Sequence, residues 1–194
     1  MKKIVLFASG NGSNVENIIQ HFKNSTLIAV AGVFTNNPQA KVLEKAKKHN
    51  VASFVFSKND LESKLILQKL QSIQPDLIVL AGFLLKFPEH IIAEFPDKII
   101  NVHPALLPKY GGKGMYGMHV HKAVLDNKEK ETGITIHYVN EHYDEGAFIF
   151  QTSVNIEECE TPEEIAAKIH ELEHQYFPVV IEKLLIPNPF SLFT

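Results

Sequence analysis

Asn101 and His103 stand two residues apart in the stretch Asn101-Val102-His103-Pro104-Ala105-Leu106-Leu107-Pro108. In an extended strand, residues two apart share a face, so these two side chains project together. A neutral amide donor beside an imidazole suits the stabilisation of an oxyanion and the movement of a proton near neutral pH. The prolines at 104 and 108 stiffen the chain that leaves the pair. The other reading of His103 is a buried histidine, satisfied at a strand end. Asp144, in Glu141-His142-Tyr143-Asp144-Glu145-Gly146, supplies a carboxylate that could orient His103 or raise its pKa. Taken by itself, that segment also reads as a solvated acidic turn.

Ser9-Gly10-Asn11-Gly12-Ser13-Asn14 follows an apolar stretch and opens a helical one. Glycines there permit tight turning and close backbone approach, and a helix start presents free amides, a recipe for holding phosphate. It is neither the dinucleotide fingerprint, because Val15 takes the third glycine position, nor a Walker loop, because no Gly-Lys-Ser/Thr follows. An ordinary strand-to-helix turn is the plainer reading. Gly111-Gly117 concentrates four of the chain's ten glycines, as a lid or as a flexible connection. His119 and His121 with His103 could be imagined as a metal site, but alternating histidines after such a loop carry little weight, and no metal is expected.

These groups need elements to hold them. The apolar runs Ile4-Ala8, Leu27-Phe34, Ala52-Phe56, Leu77-Leu80 and Lys98-His103 read as strands, with helices over Ser13-Phe22, Gln39-His49, Asp60-Ile73 (Asp60 as N-cap) and Pro88-Phe95. Continuously apolar strands alternating with helices predict an open, doubly wound, mostly parallel α/β sheet covered on both faces. After a helix near Val120-Asn127, the strands Thr132-Val139 and Ala147-Ile156 have no helix between them and are expected to be antiparallel. Thr161-Leu185 closes as a long helix opened by the capping box Thr161-Pro162-Glu163-Glu164. No linker or repeat interrupts the 194 residues, so a single domain, 1–194, is expected.

All 19 basic residues are lysine; there is no arginine and no tryptophan. Bound anions must therefore be held by lysine, histidine, backbone amides or side-chain amides, without the guanidinium fork. A formal charge of −3 gives no basic balance for nucleic acid. The single cysteine, Cys159, excludes an internal disulfide and a multi-cysteine zinc site. The run Leu77-Leu85 is too short to span a bilayer, and Ile4-Ala8 meets a polar glycine turn at once, so no membrane segment or secretory leader is read and a cytoplasmic location is expected.

Together these pieces resemble the folate-dependent formyltransferases over nearly the whole chain. The resemblance is carried by Ser9-Gly10-Asn11-Gly12-Ser13-Asn14, Ala81-Gly82-Phe83, Asn101-Val102-His103-Pro104-Ala105-Leu106-Leu107-Pro108, Asp144 with Gly146, and Glu173-His174 before Pro178. The Gly-Asn-Gly-Ser-Asn turn points to the branch that formylates 5'-phosphoribosylglycinamide in purine biosynthesis. The resemblance implies a catalytic trio of Asn101, His103 and Asp144. It implies that Gly12, Ser13 and Asn14 bind the ribonucleotide phosphate and that Glu173 contacts the same substrate. Leu84, Leu85, Lys86 and Phe87, with Asn101 and the Val139-Asn140 loop running to Asp144, would line the site for 10-formyltetrahydrofolate, the co-substrate. Relatives often carry a Met-Arg pair after Ala-Gly-Phe where this chain has Leu84-Leu85-Lys86, and the segment 56–65, which can hold an arginine for the folate tail, offers Lys58 and Lys64. The implied partners are two small molecules, with no nucleic acid and no membrane, in a monomer or homodimer. A formyltetrahydrofolate hydrolase or another formyltransferase is the alternative within the family. A non-catalytic nucleotide-binding module would account for the first glycine turn and leave Asn101, His103 and Asp144 unexplained.

Overall fold

The structure, a computed structural model, describes residues 1–186. It divides into two compact units, Met1–Phe83 with the described residues from Tyr176 on, and Leu84–Gln175. The first unit contains β1 (Lys2–Phe7), α1 (Ser13–Phe22), β2 (Ile28–Thr35), α2 (Val42–Lys48), β3 (Ser53–Val55), α3 (Lys58–Glu62), α4 (Lys64–Ile73) and β4 (Leu77–Leu80). Its strands pair in parallel in the order β3-β2-β1-β4. Ile4–Phe7 and Leu77–Leu80 are buried at every position, as they must be where both sheet faces are covered. Phe7 anchors this core, stacked on Phe34 at 4.9 Å and meeting the edges of Phe56 and Phe83 at 5.9 and 5.4 Å.

The helix α1 has the bounds that the sequence predicts, because Val15, Ile18, Ile19 and Phe22 form one buried stripe at helical spacing. The predicted helix Asp60-Ile73 is instead two helices. Ser63 sits between them in extended geometry, donating its hydroxyl to the Asp60 carbonyl at 2.8 Å and accepting from the Leu65 N–H at 3.2 Å. The break turns the buried face, so Ile66 goes inside and Leu65 is exposed. Nor is Asp60 an N-cap: Ser57 caps α3, and Asp60 is the reciprocal member of its capping box. The helix expected from Gln39 begins only at Val42, whose N–H bonds the Gly10 carbonyl at 3.2 Å.

The second unit holds α5 (Glu89–Glu94), β5 (Ile99–His103), α6 (Met118–Asp126), β6 (Glu131–Tyr138), β7 (Phe148–Asn155) and the first half of α7 (Pro162–Leu185), a 24-residue helix that continues into the first unit. Pro88, expected in the first turn of a helix, is the N-cap of α5. The pairings of β5 with β6 and of β6 with β7 are antiparallel. The expectation of a mostly parallel α/β protein with an antiparallel C-terminal part holds. The capping box of α7 is made as predicted, with Thr161 N–H on Glu164 at 3.1 Å and Glu164 N–H on the Thr161 hydroxyl at 3.3 Å. Among the described residues, no helix is long and apolar enough to cross a membrane.

Candidate active site

The last strand of the sequence's chemistry-bearing stretch, β5, ends on His103, and β6 lies antiparallel beside it with Asn101 opposite His137 and His103 opposite Thr135. This register matters because Thr135 and His137, two apart on β6, then face the polar pair of β5. His103, Thr135 and His137 are all buried.

His103 Nε2 lies 2.7 Å from the Tyr110 carbonyl. A carbonyl only accepts, so Nε2 carries the hydrogen and, in the neutral ring, Nδ1 carries the lone pair. Asp144 Oδ2 stands 3.5 Å from that Nδ1. Burial pulls the His103 pKa down; the Asp144 charge and the Tyr110 carbonyl oppose it without overcoming it, so the pKa falls below the ordinary histidine value. The sequence reading had Asp144 raising it, and in the structure desolvation wins. The ligand-free histidine is therefore neutral at pH 7, and an imidazolium formed there would find a carboxylate on one side and a carbonyl on the other.

Asp144 itself is no solvated turn residue. Burial pushes its carboxyl up, but His137, the charge of His103 and the Gly112 N–H at 2.9 Å together bring it below the usual aspartate value. His137 Nε2 stands 3.6 Å from Asp144 Oδ1, long for a hydrogen bond. His137 Nδ1 donates to the Tyr138 carbonyl at 2.9 Å, which leaves Nε2 to accept from Asn101 Nδ2 at 3.3 Å. The Asn101 amide is thereby oriented, with one N–H on His137 and a second still to offer. Gly111 lets the loop come this close: a Cβ there would stand 2.6 Å from Leu107 Cδ2 and 3.3 Å from Asp144 Cβ.

In the first unit, Gly12 precedes α1 in the left-handed region at φ 71°, and a Cβ on it would strike the Val42 side chain. Only glycine fits that turn. Ser13 and Asn14 begin the helix, where backbone N–H groups lack intrahelical partners. Asn14 is buried.

The formyl transferase family model matches residues 2–181. The chain belongs to the formyl transferase family. The phosphoribosylglycinamide formyltransferase of Bacillus subtilis (strain 168) is 39% identical over 191 residues, 95% of this chain and 95% of that protein. The enzyme of the same name from Escherichia coli (strain K12) is 31% identical over 92% of this chain and 84% of its own. Among solved structures, phosphoribosylglycinamide formyltransferase from Bacillus halodurans matches with a TM-score of 0.87 at 35% identity, covering 100% of both chains. Glycinamide ribonucleotide transformylase 1 from Geobacillus kaustophilus matches at 0.86 and 37% identity, covering 96% of this chain and 100% of that one.

In this formyl transferase, Asn101, His103 and Asp144, read separately from the sequence, converge in the second unit. Leu84, Leu85, Lys86 and Phe87 form the loop before α5; Leu84 is exposed, Phe87 is buried, and Lys86 Nζ lies 3.3 Å from Glu89. Val139 and Asn140 follow β6, both half-buried, and Asn140 Oδ1 accepts from the His142 N–H at 3.0 Å. Glu173, on α7, is buried, with Oε2 3.1 Å from His170 Nδ1. Lys58 is the exposed first residue of α3 in the first unit. His119 and His121 lie on α6 rather than on a strand, and residues two apart on a helix face away from each other. His119 is exposed and His121 buried, and among the described residues no group of three or more His, Cys, Asp or Glu side chains is arranged to hold a metal.

Sequence reasoning missed Thr135, His137 and the Tyr110 carbonyl. The first two had a visible mark, polar residues alternating with Ile134 and Ile136 in a strand whose neighbour carries Asn101 and His103. A backbone carbonyl leaves no mark in a sequence.

Proposed function

We propose that the protein transfers the formyl group of 10-formyltetrahydrofolate to the amine of 5'-phosphoribosylglycinamide, giving the formylated ribonucleotide and tetrahydrofolate in cytoplasmic purine biosynthesis. The reading rests on one observation above the others: in a chain of the formyl transferase family, a neutral His103, a carboxylate at Asp144 and an oriented amide at Asn101 meet at the end of β5.

The amine attacks the formyl carbon, and the carbonyl oxygen takes the electron pair as a tetrahedral oxyanion. The uncommitted Asn101 N–H suits that charge. The proton lost by the amine passes to the His103–Asp144 pair, where the Nδ1 lone pair and Oδ2 face each other at 3.5 Å. The imidazolium so formed is held between Asp144 and the Tyr110 carbonyl. As the bond from carbon to the folate nitrogen breaks, the same proton goes to that nitrogen, and the atoms balance without a covalent enzyme intermediate or a metal. Gly12, Ser13 and Asn14 take the ribonucleotide phosphate on backbone amides, and Glu173 contacts the same substrate. Backbone groups of the Val139–Asp144 loop and the side chains Leu84–Phe87 take the folate, with Lys58, Lys64 and Lys86 as cations for its glutamate tail. Much of the rate comes from holding amine and formyl carbon together.

The test is tetrahydrofolate release from 10-formyltetrahydrofolate with and without the ribonucleotide. Release is expected only with it. Equal turnover in its absence would make the protein a hydrolase.

A further inference from the structure

The bond that sets the His103 tautomer goes to a backbone carbonyl that must itself be held in place. Tyr110, which supplies it, sits at φ 57°, the left-handed region that an aromatic residue seldom occupies unless its surroundings require it. Those surroundings are specific. The Tyr110 hydroxyl donates to Glu129 Oε1 at 2.9 Å, and Lys109 Nζ donates to the same oxygen at 3.1 Å. Glu129 lies in the short connection between α6 and β6, with its N–H on the Val124 carbonyl at 3.3 Å, so it is anchored to the end of a helix. Lys109 and then Tyr110 hold the Glu129 carboxyl below the ordinary glutamate value, so it is a charged acceptor throughout the neutral range.

Two residues beyond Tyr110, the Gly112 N–H donates to Asp144 Oδ2. The segment 110–112 therefore touches both members of the pair, with a carbonyl on His103 and an N–H on Asp144. Neither contact uses a side chain of that segment; the side chain of Tyr110 points to Glu129 instead.

We infer that Glu129 is a positioning residue for formyl transfer: through the Tyr110 hydroxyl, with Lys109 on the same oxygen, it holds the 110–112 backbone so that His103 keeps its hydrogen on Nε2 and Asp144 stays against the Gly112 N–H. The inference rests on the reading of His103 and Asp144 as the proton-handling pair. Glu129 lies one residue beyond that pair and touches neither ligand in this account. The Lys109 side chain is exposed, so its ion pair with Glu129 is screened by solvent.

The experiment compares wild type with Tyr110→Phe, Glu129→Gln and Glu129→Asp, using ring 15N NMR of His103 and the pH profile of kcat. Wild type should show the Nε2–H tautomer. Tyr110→Phe and Glu129→Gln should mix the tautomers and lower kcat about tenfold, with KM for both substrates within about twofold, as expected when transition-state alignment alone is lost. The pH midpoint on the acid side should move, although Asp144, His137, Glu173 and His121, charged or titratable groups that interact with His103, are all retained. Glu129→Asp should restore part of the loss. Unchanged tautomer signals in both Tyr110→Phe and Glu129→Gln overturn the inference, and so does a kcat loss that only tracks loss of folded protein. Because the NMR readout needs no turnover, a wild type that fails to transfer formyl while its tautomer still responds to Tyr110→Phe would refute the proposed function and leave standing only the hold of Tyr110 and Glu129 on the His103 tautomer.

Discussion

Replacing Thr135 by valine should expose how much the chain leaving His103 depends on one hydroxyl. Thr135 is fully buried, and its Oγ1 donates to the Ala105 carbonyl at 2.7 Å, accepts from the Leu107 N–H at 3.0 Å and accepts from Gln151 Nε2 at 2.8 Å. Valine has nearly the same shape, so no cavity forms, but the oxygen is gone. Two buried backbone groups, the Ala105 carbonyl and the Leu107 N–H, lose that partner at about 1–3 kcal/mol each. Gln151 Nε2 keeps the Leu107 carbonyl at 3.1 Å and adds little. The added buried methyl returns about 0.8 kcal/mol. The net expectation is a destabilisation of about 2–4 kcal/mol, a large fraction of the roughly 5–15 kcal/mol that holds a domain folded. Equilibrium urea unfolding should record it as a fall in midpoint of about 1 M or more at unchanged slope. Thr135→Ser keeps the oxygen and should recover most of the loss. A valine variant within about 0.5 kcal/mol of wild type, or a serine variant as unstable as valine, would show that the hydroxyl is irrelevant to the loop.

Asn101→Ala and His103→Ala should each lower kcat by roughly two to three orders of magnitude while binding both ligands, the size seen when a preorganised donor is removed; near-normal turnover of either, by the folate absorbance assay, contradicts the assigned roles. Burial lowers the pKa of His121 as well as His103, so the unfolded state binds more protons just below pH 6.5, and stability should fall as pH drops from 7 to 5.5. His121→Gln should flatten part of that fall in a thermal unfolding series. Glu16, held at about 2 by Lys48 against the opposing cost of burial, with help from His49 and Lys45, binds α1 to α2. Its folded pKa is depressed, so Glu16→Gln should cost about 1 kcal/mol at pH 7 in urea unfolding after solvent screening, and the difference from wild type should vanish as pH falls from 4.5 towards 2. With lysine as its only strong cation, the folate tail should be held by point charges, so affinity should weaken with salt and with Lys86→Ala; titration calorimetry insensitive to both would remove that role.

How far the sequence reached depends on where each signal lives. The bounds of α1 were legible because its capping turn and apolar stripe are local. The region after Ser57 was not, because Ser63 breaks the helix through side-chain bonds to the Asp60 carbonyl and the Leu65 N–H, which a periodicity argument does not see. Asn101 and His103 were legible because two residues on one strand share a face. Asp144 needed more: it reaches His103 through the antiparallel turn of β6 and through glycines at 111 and 112 that allow backbone contact. Its role came from the family resemblance, and its burial only from the structure. The Asp144 charge does raise the His103 pKa, but burial outweighs it, since a sequence states which charge is near but not how completely water is excluded.

Formyl transfer from folate to the ribonucleotide amine can be followed through the formyl carbon itself. Incubating the protein with 10-formyltetrahydrofolate carrying a 13C-formyl group and 5'-phosphoribosylglycinamide, then analysing the products by mass spectrometry, should place one labelled formyl group on the ribonucleotide for each tetrahydrofolate released. Recovery of the label as free formate, with the ribonucleotide unmodified, would contradict the account.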